Sequence, residues 1–153
     1  DERFLGLFQA ISNPAIGFLV GVVSAAALQS SSAAVGVLQA ISTSGALTVR
    51  GAIPILMGQC VGASTPVMIS AIGAEREGKR TALFYLTINL LGAAIGLAAS
   101  GLLRDGRANP LKIAELHTGS RILMAAILLP LSDRIEALVD RLPLRERSGA
   151  TER

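Results

Sequence analysis

The sequence predicts an all-α integral membrane protein with a re-entrant helical hairpin and about three transmembrane helices, one of them broken. Hydrophobic residues make up 51% of the 153 residues, and charged residues make up only 16%. Soluble domains average about 25% charged residues. The apolar blocks consist mainly of small and aliphatic residues, which suits helices that pack closely in lipid. A soluble bundle with a very apolar core is the alternative, but the long uncharged runs argue against it.

The hairpin is predicted from the first uncharged run, residues 4–49, which contains the polar sequence QSSS at 29–32. A spanning helix needs about 20 apolar residues, and the pieces on either side of QSSS are shorter than that. A hairpin over 13–42 that turns near the membrane midplane fits these lengths, provided that protein or water surrounds its tip. A plain loop between two transmembrane helices is the alternative interpretation of QSSS.

The remaining segments predict further elements, of which those within 13–132 complete one transmembrane repeat and the others flank it. These are an interfacial helix at 1–12, a broken transmembrane helix at 50–74, transmembrane helices at 80–103 and 111–131, an amphipathic helix at 133–142 and a disordered tail at 143–153. An unwound break is expected at 58–66, because GQCVGASTP combines glycines, small polar groups and a proline. Basic residues are more numerous around loop 75–80 and the tail, which predicts a multi-pass protein of the inner (plasma) membrane with a cytoplasmic C-terminus.

Several function classes have no support in the sequence. It contains no HExxH, GxSxG or Walker A motif, and His117 has no evident triad partners, so we do not expect an enzyme. No aromatic residues lie among the basic ones, so the net charge of +3 indicates membrane topology and lipid contact rather than nucleic-acid binding. Cys60 is the only cysteine, which excludes an intrachain disulfide and a cysteine-based zinc site. We expect this thiol to be packed rather than reactive.

Two polar interruptions in successive apolar segments form the candidate binding site. Their hydroxyl and carboxamide groups can coordinate Na⁺ through oxygen, and the hydroxyls can also donate to an oxyanion. A helix that begins just after QSSS would add backbone N–H groups, and transporters place such broken helices at the membrane midplane. The predicted substrate- and ion-binding residues are Gln29, Ser30, Ser31, Ser32, Gln59, Gly62, Ser64 and Thr65. Gln29, Ser31 and Ser64 are the predicted Na⁺ ligands.

The spacing of QSSS at 29–32 and GQCVGAST at 58–65 resembles that of the type II Na/Pi cotransporters and their bacterial relatives. GKRTALFYLTINLLGA at 78–93 and HTGSRILMAAILLP at 117–130 look like the following blocks of that family. The resemblance implies an inverted-repeat transporter with one QSSS in each repeat, and this chain is most like the second repeat. It implies sodium-coupled symport of inorganic phosphate, with Na⁺ as the coupling ion and no cofactor. It further implies that a first repeat or a second protomer completes the site, and that a PhoU-like cytoplasmic domain can follow.

The chain departs from the family pattern in its second polar element. Cys60 and Ala63 stand where the family has an asparagine and a threonine, and a thiol suits a hard cation less well than an oxygen does. Two alternatives therefore stay open: transport of a different anion or with H⁺ coupling, and a non-transporting membrane anchor or regulatory module. Asn89 is expected to hydrogen-bond between helices, and Arg121 is expected to pair with Glu115 or to extend towards the interface.

Overall fold

The computed structural model describes residues 13–141, which are almost entirely helical. The helices are α1 (Pro14–Leu28), α2 (Ser31–Ser42), α3 (Val49–Gly62), α4 (Thr65–Ser70), α5 (Arg76–Ala99), α6 (Pro110–Leu128) and α7 (Ser132–Asp140). Single 3-10 turns follow α4, α5 and α6 at Ala71–Gly73, Ser100–Leu102 and Leu129–Leu131. Within this range no strand forms, although an isolated bridge joins Thr48 and Arg107. The predicted all-helical fold is confirmed, whereas the predictions for 1–12 and 143–153 fall outside the described residues.

Helices α1 and α2 are joined by a two-residue turn at Gln29 and Ser30. Asn13 caps α1, its Oδ1 accepting from the backbone N–H of Ala15 at 2.9 Å. Gln29 ends the helix with φ 50°, a left-handed conformation that reverses the chain direction. Ser30 is extended, and its Oγ caps α2 by accepting from the N–H of Ala33 at 3.3 Å. Helix α2 therefore begins at Ser31, within QSSS and earlier than the predicted start at Ala33.

Helices α1 and α3 run in the same direction and touch backbone to backbone. A Cβ at Gly58 would overlap the carbonyl oxygen of Phe18, and a Cβ at Gly62 would overlap that of Val22. Only glycine permits such an approach. Gly62, one of the predicted site residues, therefore has a packing role against α1 in this structure.

The break predicted in the helix at 50–74 is much smaller than expected. Residues 58–62 are helical, and only Ala63 and Ser64 form a turn between α3 and α4. Both keep right-handed conformations, with φ values of −62° and −78°. The prediction of an unwound stretch over 58–66 is wrong, because its two glycines serve helix packing rather than chain reversal.

Two helical segments within 13–141 are long and apolar enough to cross a membrane, by length and composition: Val49–Gly73 and Arg76–Leu102. These match the predicted spans at 50–74 and 80–103. The segment predicted at 111–131 is helical as α6, but its first half carries Lys112, Glu115 and Arg121. Its placement across the membrane stays a prediction.

The loops and helix ends collect at two opposite ends of the bundle. At the first end the backbone N–H of Val49 donates to the carbonyl oxygen of Gly106, which joins the loops before α3 and before α6. At the second end Arg80, near the start of α5, forms an ion pair with Asp140 of α7. Residues 76–80, predicted as part of a loop, instead form the first turn of α5, and they share this end with the helix predicted at 133–142, as three crossings would require.

The apolar core is centred on α3. Leu56 is 0% exposed and Ile53 is 3% exposed, and they pack with residues of α2, α5 and α6 in one cluster. Cys60 is 2% exposed and belongs to the same cluster. The prediction that this thiol is packed is confirmed.

Candidate functional site

Gln59 links α3 to the tip of the hairpin. Its Nε2 donates to the backbone carbonyl of Ala34 at 3.0 Å, across 25 residues of sequence. Ala34 lies in the first turn of α2, two residues after the last QSSS serine. The structure therefore brings one residue of the second polar element against α2, the helix that begins within the first.

The side-chain oxygen of Gln59 is left without a partner. Among buried side-chain atoms of residues 13–141, Oε1 of Gln59 has no hydrogen bond, and the residue is 3% exposed. The amide cannot be reversed, because Oε1 would then face the carbonyl oxygen of Ala34. A buried acceptor without a donor is unfavourable by about 1–3 kcal/mol. Such an atom can accept from a water molecule or coordinate a cation.

The hairpin tip presents hydroxyl groups and backbone donors. The Oγ atoms of Ser30 and Ser32 lie 3.2 Å apart, within hydrogen-bond distance. Gln29 and Ser32 are exposed, whereas Ser30 and Ser31 are half-buried. The Ser30 cap occupies the N–H of Ala33, which leaves the earlier N–H groups of α2 without intrahelical partners. This combination of hydroxyls and N–H groups suits an oxyanion.

Ser64 and Thr65 lie at the α3–α4 junction and differ in their surroundings. Ser64 is 1% exposed, and its Oγ accepts from Nδ2 of Asn89 on α5 at 3.2 Å. Thr65 begins α4 and is half-buried. The prediction that Asn89 bonds between helices is confirmed.

The hydrogen-bond chain from Ser64 continues to a charged residue. Nη1 of Arg121, on α6, donates to Oδ1 of Asn89 at 3.1 Å. Of the two expectations for Arg121, the pair with Glu115 is wrong, since Glu115 bonds to Lys112 Nζ at 3.0 Å instead. Arg121 was not among the predicted site residues. The signal that could have found it is a charge within an apolar helix, which marks functional positions in membrane proteins.

The contacts of the predicted site residues therefore fall into two groups. Gln59 contacts the hairpin just after QSSS, whereas Ser64 bonds towards α5 and α6. Gly62 packs against α1. No cluster of three or more His, Cys, Asp or Glu residues occurs between 13 and 141.

Known proteins with related sequences match between about half and four fifths of this chain. YqeW, an uncharacterized protein of Bacillus subtilis, is 27% identical over 126 residues, which is 79% of this chain and 41% of that protein. Human sodium-dependent phosphate transport protein 2B is 36% identical over 81 residues, covering 51% of this chain and 12% of that protein. Rat sodium-dependent phosphate transport protein 2A is 39% identical over 71 residues, which is 46% of this chain and 11% of that protein.

The chain thus spans less than half the length of these relatives. No solved structure matches it. The profile described as Na⁺/Pi-cotransporter matches residues 2–129 and so covers both polar elements and helices α1 to α6. The chain therefore belongs to the Na⁺/Pi-cotransporter family.

Proposed function

We propose that this chain forms half of a sodium-coupled transporter of inorganic phosphate. Membership of a transporter family supports this function, and no enzyme motif competes with it. The observation that carries the proposal is the unpartnered Oε1 of Gln59 beside the first turn of α2. It supplies an acceptor for Na⁺ on the helix that bonds to α2, and the hydroxyl and N–H donors of QSSS at the start of α2 suit phosphate. We propose no cofactor besides the coupling ion.

The hairpin geometry supports a re-entrant element. Val22 and Ala25 lie beside Gly62, and α1 ends one turn later at Leu28. The apolar segment of α3 and α4 continues to Gly73. At a rise of about 1.5 Å per residue, the hairpin tip that follows Leu28 lies roughly 10 Å along the helix axis before the level of Gly73. A hairpin that enters from one face of the membrane and turns inside it would have this length.

The other half of the site is proposed to come from outside this chain. The QSSS tip is partly exposed, and a bilayer does not tolerate exposed irregular backbone at depth. A first repeat of the inverted-repeat fold, or a second protomer, would cover it. A PhoU-like cytoplasmic domain would attach beyond α7.

The proposed orientation places the end that contains Arg80 and Asp140 in the cytoplasm. We expect a cysteine at Gly106 to react with a membrane-impermeant maleimide on intact cells, and a cysteine at Glu75 to react only after permeabilisation. Both positions are exposed, and the native Cys60 is buried and adds little background. Labelling of both positions from one side would contradict the proposed topology.

Transport is tested in proteoliposomes that contain the protein at the full length its gene encodes. We expect uptake of radiolabelled phosphate in an inward Na⁺ gradient and little uptake in K⁺. Ser31→Ala should lower uptake at least about tenfold, since a hydrogen bond to a charged group contributes about 1.5–3 kcal/mol. Ser44→Ala is the control, because this exposed loop serine bonds only to the carbonyl of Ile41 and the N–H of Ala46.

Each contrary result identifies one of the alternatives. Equal uptake in Na⁺ and K⁺ would contradict sodium coupling. Stronger inhibition by another oxyanion than by unlabelled phosphate would indicate a different substrate. No uptake of any anion would favour a membrane anchor or regulatory module.

A further inference from the structure

The hydroxyl of Ser64, in the turn between α3 and α4, bonds differently from those of serines near the ends or in the middle of the later helices. Ser70, Ser100 and Ser120 each donate to the carbonyl three residues earlier, at 2.8, 2.5 and 2.8 Å. Ser64 Oγ only accepts, from Asn89, and it donates to no group within residues 13–141. Because Ser64 is 1% exposed, its O–H group is a buried donor without an acceptor.

Arg121 determines the direction of this hydrogen-bond chain. A guanidinium can only donate, so the atom of Asn89 that faces it must be the carbonyl oxygen. The Asn89 amide nitrogen is therefore directed towards Ser64 and the carbonyl of Tyr85, at 3.2 and 2.9 Å. Ser64 must accept from that nitrogen, and its own proton is available to another group.

The hydrogen bonds from Arg121 through Asn89 also transmit the polarising effect of the guanidinium charge to Ser64. No carboxylate of the described residues forms an ion pair with Arg121. Hydrogen bonds in series polarise one another, and the effect is greatest where water is excluded. The Ser64 hydroxyl accepts the last hydrogen bond of a series that starts at the Arg121 guanidinium. It is therefore a better hydrogen-bond donor to an anion and a poorer ligand for a cation.

We propose that Arg121, acting through Asn89, makes Ser64 a hydrogen-bond donor to the transported oxyanion rather than a Na⁺ ligand. Arg121 and Asn89 are positioning residues, and of these three residues only Ser64 contacts the anion, which the QSSS groups also bind. This inference rests on the proposed function and reassigns Ser64, which the sequence predicted to be a Na⁺ ligand. The Na⁺ ligands then come from acceptor groups elsewhere, Oε1 of Gln59 among them.

Asn89→Asp tests the direction of the hydrogen-bond chain. Aspartate has nearly the shape of asparagine and still accepts from Arg121, but it has no N–H group to donate. The Ser64 hydroxyl would then donate to this carboxylate, and the charge of Arg121 would be neutralised. We expect the phosphate KM to rise at least about tenfold, the effect of losing one charge-assisted hydrogen bond. The Na⁺ concentration for half-maximal uptake at saturating phosphate should change less than about twofold.

Three further variants separate the proposal from a purely structural role. Arg121→Lys retains a positive donor and should keep the phosphate KM closer to that of the wild type than Arg121→Gln does. Ser64→Ala leaves the Asn89–Arg121 bond intact and should reproduce the selective rise in phosphate KM. The unfolding temperature of each purified variant is measured in parallel, so that a loss of fold is recognised.

The outcomes distinguish this proposal from the proposed function. An unchanged phosphate KM in Asn89→Asp and Ser64→Ala would overturn the inference alone. The inference would also be overturned if these variants raised the Na⁺ concentration for half-maximal uptake as much as the phosphate KM, since Ser64 would then be a cation ligand. Absence of saturable phosphate uptake by the wild-type protein would contradict both the inference and the proposed function.

Discussion

Replacing Gly58 with alanine is expected to destabilise the bundle by about 3 kcal/mol or more, the upper range for overpacking a closely packed contact. The added Cβ would overlap the carbonyl of Phe18 and approach the backbone N of Val22 to 2.9 Å. Both are main-chain atoms of α1, so no side-chain rotation relieves the clash. The helices would have to separate along the contact that also includes Gly21 and Gly62. The unfolding temperature and the yield of monodisperse protein after purification measure this effect.

Two other glycines provide a graded comparison for this substitution. Gly36, on α2, has nothing within 4 Å of an added Cβ, so Gly36→Ala should be neutral or stabilising by about 0.5–1 kcal/mol. Gly96→Ala would meet the side chain of Met57, which can move, and should give an intermediate loss. Equal unfolding temperatures for Gly58→Ala and Gly36→Ala would show that α1 and α3 are not in backbone contact.

Replacing Gln59 with methionine is expected to reduce sodium-dependent phosphate uptake at least about tenfold without lowering the unfolding temperature. Methionine has a similar length and shape but lacks the carboxamide oxygen proposed to coordinate Na⁺. The substitution removes the hydrogen bond to Ala34 and also removes a buried acceptor that has no partner. These two effects on stability oppose each other. The oxygen would therefore be important for transport and dispensable for the fold.

Gln39→Met is the matched control for this experiment. Nε2 of Gln39 donates to the carbonyl of Pro110 at 3.0 Å, and the residue is half-buried near the opposite end of α2. We expect a slightly lower unfolding temperature and unchanged sodium-dependent uptake. A Gln59→Met protein that is less stable yet transports normally would assign Gln59 a packing role only.

The outline of the fold was predictable because charges and polar turns divide this sequence clearly. Pro14 after Asn13 predicts the start of α1, and the charges at 75–80 predict a boundary before α5, although α5 begins at Arg76 rather than at the predicted residue 80. The turn at QSSS was also predictable, because four polar residues interrupt an apolar run. These signals are local, and local chemistry is sufficient to define where helices begin and end.

The break at 58–66 was mispredicted because glycine has two uses that a single sequence does not separate. Gly58 and Gly62 suit an unwound chain, but they equally suit a helix that another backbone approaches closely. Only the position of α1 decides between these uses. The candidate site was also predictable only in part. Residue types indicated Gln59 and Ser64, whereas the hydrogen bond from Arg121 to Asn89 depends on how α5 and α6 pack.

The glycine contact between α1 and α3 has a consequence for how a transporter of this fold can move. Two helices joined through main-chain atoms cannot slide past each other without steric overlap, so the hairpin and α3 should travel as one rigid body. Helix α5 meets its neighbours differently, since Gly92 and Gly96 face the side chains of Met124 and Met57. Methionine side chains adapt their shape readily. Shear between conformations would therefore occur along this methionine-lined seam, and the hairpin tip would keep a constant relation to Gln59 throughout a transport cycle.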